Sequence, residues 1–567
     1  MTEATTHTDW RGLVRIGLIA GVGMLYVAAV GLVAAFSGRA IVDGVITVGR
    51  LLLFIPSVYA GVYVVRQNLV GAAMGPRILG TAVAGALSAV PLALVFVLEA
   101  LFNSQDLSLR EVFVNISPAL QDVLFYGQSN LLVGILLTLA VGAALATSVV
   151  FLFALPTQFQ QVVTRALLYT LVFGLFSELF TQILRPILPS GILRTMIRNS
   201  SLTPVAAVGV VLVSGALVYF WPTIKANNKA WKESKSAAQQ TQIGYVNIAL
   251  GVLVLLALPW MLNTFLSDVA NTVGLYIMMG LGLNIAVGMA GLLDLGYLTN
   301  YAVGAYVMGV LTTLPPDGSG AGLPFWVVLP LCVLAAMFTG FFFALPVLRM
   351  RGDYLAIATL GFGEIIRVLA ISDWLSPVIG GAQGVLYIPK PSIFGVINFS
   401  DPRLLYYIIL AGCGLVLYVI WRLNNSRMGR QWMAIREDED VAEAMGINLV
   451  KTKVLAFTLS AAAGGLAGGI FAAKLGTVFP QSFSVFVSIN VLAVIIVGGM
   501  GSIPGIIVGA IVLIGLPEVL REFNEYRQLI YGALLVWMML RRPEGLIPSA
   551  IRQRELHSGE VVDEPIA

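Results

Sequence analysis

The sequence predicts an all-α fold, a polytopic transmembrane helical bundle, and three observations carry that prediction. Hydrophobic residues make up 58% of the 567 positions and charged residues only 11%, with a mean hydropathy of +0.91. A soluble domain carries about 25% charged residues, so this chain has too little polar surface to cover itself in water. The apolar residues gather in runs of about 20, the length that crosses a bilayer as helix. Lysines and arginines collect in a few loops between those runs, as they do on the cytoplasmic side of membrane proteins. Roughly 14–16 spans are expected, including short broken or re-entrant helices.

Composition also excludes several classes. The net charge of +4 reflects loop residues rather than a basic patch, so no nucleic-acid partner is expected. His7 and His557 sit in the polar ends, and Cys332 and Cys413 stand alone in apolar runs. That pattern offers no histidine metal site, disulfide framework or CxxC motif, and no cofactor is expected.

In chain order, Arg11 and Arg15 precede an apolar run over 16–36. A signal peptide's apolar core is typically ~7–15 residues, so this run reads as a retained span. Further spans are expected at 41–65, 78–102, 130–155, 166–184 and 203–221, making 1–221 an N-terminal transmembrane region of unassigned role. Residues 222–242 hold Lys225, Lys229, Lys232 and Lys235 against Glu233 alone, and read as a cytoplasmic linker and domain boundary. Against the same rule, the loop with Arg185, Arg194 and Arg198 falls on the external side. Asp43, Arg50, Glu99 and Glu178 have no motif around them and are expected to pair between helices.

The second half gives spans near 243–266, 269–287, 292–311, 324–348, 354–371, 404–421 and 453–475, within a core of 243–548. Alternation from an internal linker puts Arg349 and Arg351 inside and the 372–403 segment outside. From Val485 to Pro517 the apolar stretch is interrupted by GGMGSIPG, Gly498 to Gly505. Two short helices or a re-entrant hairpin there keep Arg541, Arg542, Arg552 and Arg554 inside. The tail 549–567 and both termini are then cytoplasmic. Non-helical backbone at membrane depth survives only beside protein or a water-filled cavity, which puts Gly498 and Gly499 against a pathway. The turn lacks the Gly-Lys-Ser/Thr ending of a phosphate-binding loop, and that motif occurs nowhere else. The chain is therefore expected to have no nucleotide site of its own and not to hydrolyse nucleotide.

The segment 422–453 is the one densely charged stretch between apolar spans. Arg422, Arg427, Arg430, Arg436, Lys451 and Lys453 hold its edges, with Glu437, Asp438, Glu439, Asp440 and Glu443 between them. Trp432, Ile435, Val441, Ala442 and Met445 recur at roughly helical spacing until Gly446 stops the pattern. The spacing predicts one short amphipathic helix on the cytoplasmic side, with a face free for a partner. A solvated connector is the plain alternative.

Within AAAGGLAGGIFAA, Gly464 with Gly468 and Gly465 with Gly469 form two overlapping small-xxx-small pairs, which let helix backbones approach closely. Glu364 and Arg367 lie three apart on one helix and either neutralise each other or line a pathway. Asn284 and Asp294 flank VGMAGLL, a glycine-interrupted region suited to a local break facing a cavity. Asn284, Asp294, Gly361, Glu364, Gly498 and Gly499 are the candidate pathway residues.

Five ordered blocks carry a resemblance: GLNIAVGMAGLLDLGYLTNYAVGAY (Gly282 to Tyr306), RMRGDYLAIATLGFGEIIRVL (Arg349 to Leu369), GGAQGVLYIPKPSIFG (Gly380 to Gly395), MGRQWMAIREDEDVAEAMGIN (Met428 to Asn448) and VGGMGSIPGIIVGA (Val497 to Ala510). Over about 245–548 the chain resembles the M-type permease subunit of branched-chain amino acid ABC transporters. The resemblance implies ATP-driven import of a branched-chain or related small amino acid. It also implies a second permease subunit, two cytoplasmic ATPase subunits, an external substrate-binding protein, and a lipid bilayer around them. Arg436, Glu437, Asp438, Glu443, Ala444 and Gly446 match the family's coupling segment, through which ATPase movement reaches the spans. The dense acidic run REDED leaves open which acids touch that partner.

Two other classes remain in view. An ion-coupled secondary transporter of a small polar solute needs coupling residues near the midplane and often internal repeats, and no repeat joins the two halves. A membrane enzyme needs polar groups converging at one depth, and the acids here are scattered. Leucine-like amino acids, urea and short amides are not separated by the sequence.

Overall fold

The computed structural model describes residues 10–69, 72–103, 115, 118–128, 130–185, 188–233, 235–313, 321–347, 350, 352–393, 397–519, 527–541 and 544–548. The tail 549–567, Arg349, Arg351, Arg542 and both histidines lie outside them. Twelve helices among the described residues are long and apolar enough to cross a membrane, and shorter apolar ones such as Ile503–Glu518 accompany them. Two compact units divide the chain, Met1–Leu250 and Gly251–Ala567, the division falling inside the helix Ala237–Met261.

The first unit is built from the helices Trp10–Ala29, Val48–Tyr63, Met74–Asn103, Leu131–Ala154, Thr157–Leu175 and Pro204–Glu233. Side-chain oxygens start two of them: Thr47 accepts from Arg50 N at 3.3 Å and Asn130 from Leu132 N at 3.0 Å. Buried Ser57 and Ser88 share a hydroxyl hydrogen bond of 2.7 Å between neighbouring helices. Four short strands join at one end in the order Ile46–Thr47, Ala40–Val42, Ser201–Leu202 and Ile197–Arg198. Ser201–Leu202 lies between Ala40–Val42 and Ile197–Arg198, so Arg198, on the outer strand of this sheet, pairs with Ser201. The Arg50 guanidinium lies over the Tyr126 ring at 4.3 Å, an aromatic partner. The Lys-rich stretch 222–242 is largely helical, since Pro204–Glu233 runs through Lys225 and helix resumes at Ala237.

The second unit is organised around Thr264–Asn284, which a π turn extends to Met289, and Leu449–Leu475. Over an apolar stretch of 18 residues, 83% of the first span and 67% of the second are buried, against 28% for the flanking Phe325–Pro346 and Tyr354–Ile371 spans. Asn263 caps the first helix by accepting from Leu266 N at 2.8 Å, and Asn448 caps the second by accepting from Lys451 N at 2.9 Å. Gly476, at φ +79°, ends the second in the left-handed conformation that favours glycine. At that end Lys474 pairs with Asp268 at 3.1 Å, fixing the antiparallel register of the two.

The small-residue pairs face two different helices. A methyl at Gly468 would stand 3.0 Å from Ala305 N on Leu298–Thr312, whereas one at Gly465 would stand 2.6 Å from Cys332 O on Phe325–Val347. Gly464 packs toward Asn300 and Tyr297, and Gly469 toward Cys332 and Met308. One helix thereby holds two neighbours at backbone contact.

Candidate translocation and coupling site

The 422–453 segment is two helices rather than the single one expected. Arg427–Glu437 ends and Glu439–Ala444 begins at Asp438, whose backbone is extended at φ −158°, ψ 116°. Its Oδ1 accepts from Asp440 N at 2.9 Å and Val441 N at 3.0 Å. An aspartate followed by acids is a strong helix start, because the carboxylate satisfies free N–H groups and the acids complement the helix dipole. The helical spacing of apolar residues concealed that signal.

The first helix is clamped to the core. Trp432 is fully buried and donates from Nε1 to Thr452 O at 2.9 Å. Arg436 donates from Nη1 to Gly288 O at 2.8 Å. Lys453, buried at the start of its span, pairs with Glu439 at 2.7 Å and ties the second helix down. Ala442 is buried, while Glu437, Asp438, Glu443, Ala444 and Gly446 are exposed. Gly446 at φ +88° reverses the chain, with Gly446 N donating to Glu443 O and Ile447 N to Ala442 O. Val441 and Met445, two of the helically spaced apolar residues, are 58% and 79% exposed and leave an apolar face beside Glu443.

Above this segment the chain breaks between Met289 and Leu298, and the break lies deep in the unit. Tyr297 donates from its hydroxyl to Ser460 O, halfway along Leu449–Leu475, at 3.2 Å. Backbone N–H groups in the break find partners, as burial demands. Leu292 N donates to Ala286 O at 2.8 Å, Leu295 N to Thr359 Oγ1 at 3.0 Å, Gly296 N to Asp294 Oδ1 at 2.9 Å and Leu298 N to Ser488 Oγ at 3.1 Å. Gly296 is required here, since a methyl would come 2.7 Å from the Thr359 carbonyl carbon. Asp294, Thr299, Asn300 and Thr359 border a small cavity with Phe343, Phe362 and Phe457.

The other candidate pathway residues are placed differently. Asn284 is buried, and its Oδ1 accepts from Gly501 N at 3.0 Å, so it braces the GGMGSIPG turn. Gly498 and Gly499 form that turn, joining the antiparallel helices Val485–Gly498 and Ile503–Ala510. The turn is packed by chain: Leu546 N donates to Val497 O at 2.8 Å and Ile547 N to Gly498 O at 3.0 Å. Glu364 is held by Arg367 on the next turn, and Gly361 faces open space. Thr299, Asn300 and Thr359 were not singled out in the sequence. The adjacent Thr-Asn pair inside GYLTNYAVGAY is the signal that could have found the first two.

Apolar spans around a polar break at depth, with a capped charged segment at one end, define a multi-pass membrane permease. The model of the family described as branched-chain amino acid transport system / permease component matches residues 265–539. The chain is 41% identical over 336 residues to the high-affinity branched-chain amino acid transport system permease protein LivM of Salmonella typhimurium, covering 55% of this chain and 77% of that protein. Identity to the LivM of Escherichia coli strain K12 is 42% over 340 residues, 56% of this chain and 78% of that one. The LivH permease of the same strain is 24% identical over 308 residues, 50% of this chain and 95% of that one. No solved structure matches. The chain belongs to the branched-chain amino acid transport permease family.

Proposed function

We propose that this chain is the M-type permease subunit of an ATP-driven importer of branched-chain or related small amino acids. It works in the plasma (inner) membrane with both termini cytoplasmic, pairs with a second permease subunit, and receives substrate from an external binding protein. Two cytoplasmic ATPase subunits supply the energy, and one of them docks on 422–453. The observation that carries this reading is the anchoring of that segment. Arg436 ties it to Gly288 on the most buried span, while Val441, Glu443 and Met445 face outward. A docked partner that moves the segment thereby pulls on the central helix as a rigid element. Family membership does not favour an ion-coupled secondary carrier. Residues 1–221 lie outside the family match, and their role is left unassigned.

The test is reconstitution in vesicles. The chain alone should show no ATP-dependent uptake, whereas the chain with its second permease, ATPases and binding protein should import leucine. Robust uptake by the single chain, driven by an ion gradient, overturns the reading.

A further inference from the structure

We infer that Asp294 is the counter-charge that receives the ammonium group of the amino acid in transit, in the cavity at the break before Leu298–Thr312. The inference rests on the importer reading and adds where the solute is held and by what chemistry.

Three observations meet at this point. Asp294 is 4% exposed and accepts a hydrogen bond from Gly296 N, and among the described residues no lysine or arginine pairs with it. A carboxylate at membrane depth is costly unless a cation or proton joins it, and such residues mark solute pathways. Thr299, 2% exposed, lines the same cavity, and its Oγ1 is buried without a hydrogen-bond partner. Buried hydroxyls are normally satisfied, so this one is a free acceptor and donor awaiting a polar group.

The rest of the lining is largely aromatic. Phe343 and Phe362 stack with centroids 4.8 Å apart, and Phe457 stands beside them. The carboxylate and unpartnered hydroxyl match an ammonium and the aromatic lining matches a hydrocarbon branch; the space between them is water-sized, so the walls must part to take the whole solute during transport. Urea and neutral amides carry no cation for Asp294. Thr299 also borders a second cavity with Tyr306, Arg367 and Phe483.

The experiment uses the complete reconstituted transporter during turnover, with a photoreactive diazirine analogue of leucine. Illumination and peptide mapping should place the label within 294–300 or 359–362. Asp294→Asn should lower leucine uptake by about tenfold or more and abolish the label, as expected for loss of a charge-assisted contact. Asp294→Glu should restore part of both. Thr299→Val, which keeps shape and removes the hydroxyl, should lower uptake several-fold even if the Asn variant fails to assemble. Label confined to other segments, or wild-type uptake in either Asp294→Asn or Thr299→Val, overturns the inference while leaving the importer intact. Failure of the wild-type complex to import leucine brings down the importer reading itself.

Discussion

Arg436 and Gly288, far apart in sequence, are joined by a hydrogen bond of 2.8 Å from the Arg436 Nη1 to the Gly288 carbonyl oxygen. Gly288 lies in the π turn that extends the central helix, one turn beyond Asn284, which accepts from Gly501 N at 3.0 Å. The charged segment, the most buried span and the glycine turn are therefore linked in series. Each link is a backbone group held by one side chain.

Arg436→Ala should cut the first link. A hydrogen bond from a charged donor is worth about 1.5–3 kcal/mol, too little to unfold a bundle of this size. The segment remains held by Trp432 and by the Lys453–Glu439 pair. ATPase pull-down should survive, while leucine imported per ATP hydrolysed falls several-fold. Arg436→Lys, which keeps the charge but not the planar fork, should fall in between. An unchanged transport ratio in Arg436→Ala would show that motion reaches the core by another route.

Much of this arrangement was legible in the sequence, for identifiable reasons. Span lengths follow from the apolar runs, because a bilayer sets both composition and length. Gly464, Gly465, Gly468 and Gly469 announced close packing, although not that the two pairs face different helices. Long-range polar partners were not legible. Nothing near Arg436 names Gly288, and nothing near Asn284 names Gly501, since those bonds depend on how three separate segments meet. The break at Asp438 was written locally but masked by the helical spacing of Val441 and Met445 with Trp432.

Gly465→Leu and Gly468→Leu should each destabilise the second unit. Overpacking a close-packed interior costs typically ~1–3 kcal/mol, and here the obstacles are the backbone at Cys332 and the backbone at Ala305. Backbone cannot swing aside as a side chain does. Both variants should show a lower unfolding temperature in detergent and reduced assembly with the second permease. Full stability in both would mean that the two helix contacts are looser than the structure has them.

The exposed apolar pair tests the docking face without disturbing the fold. Val441→Asp and Met445→Asp alter residues that are 58% and 79% exposed, so yield and melting temperature should hold. ATPase pull-down should weaken markedly, because a charge is then buried against the partner. Glu443→Lys should weaken the complex in a salt-dependent way if the acid meets a basic surface. Undiminished binding by all three variants would move the docking face to another loop.

Ala442→Pro asks whether the short helix must be a helix. Ala442 N donates to Asp438 O at 3.0 Å, and Ala442 O accepts from Ile447 N at 3.1 Å, closing the turn before the next span. Proline removes the first bond, and its ring clashes with the preceding turn, a local cost of about 3 kcal/mol. A helix of six residues has no other turn to absorb that loss. The capping bonds from Asp438 lie at its start, and the Lys453–Glu439 pair holds only its first residue. The far end, with Val441 and Met445, should therefore lose its shape while the spans insert and pack as before. Pull-down of the ATPase and substrate-stimulated hydrolysis should fail together, since both need the same rigid element. Measured in parallel on detergent-solubilised protein, normal values for both would make residues 439–445 a solvated connector. A variant that binds the ATPase but no longer stimulates it would instead divide the roles, leaving docking to Arg427–Glu437 and transmission to the helix after Asp438.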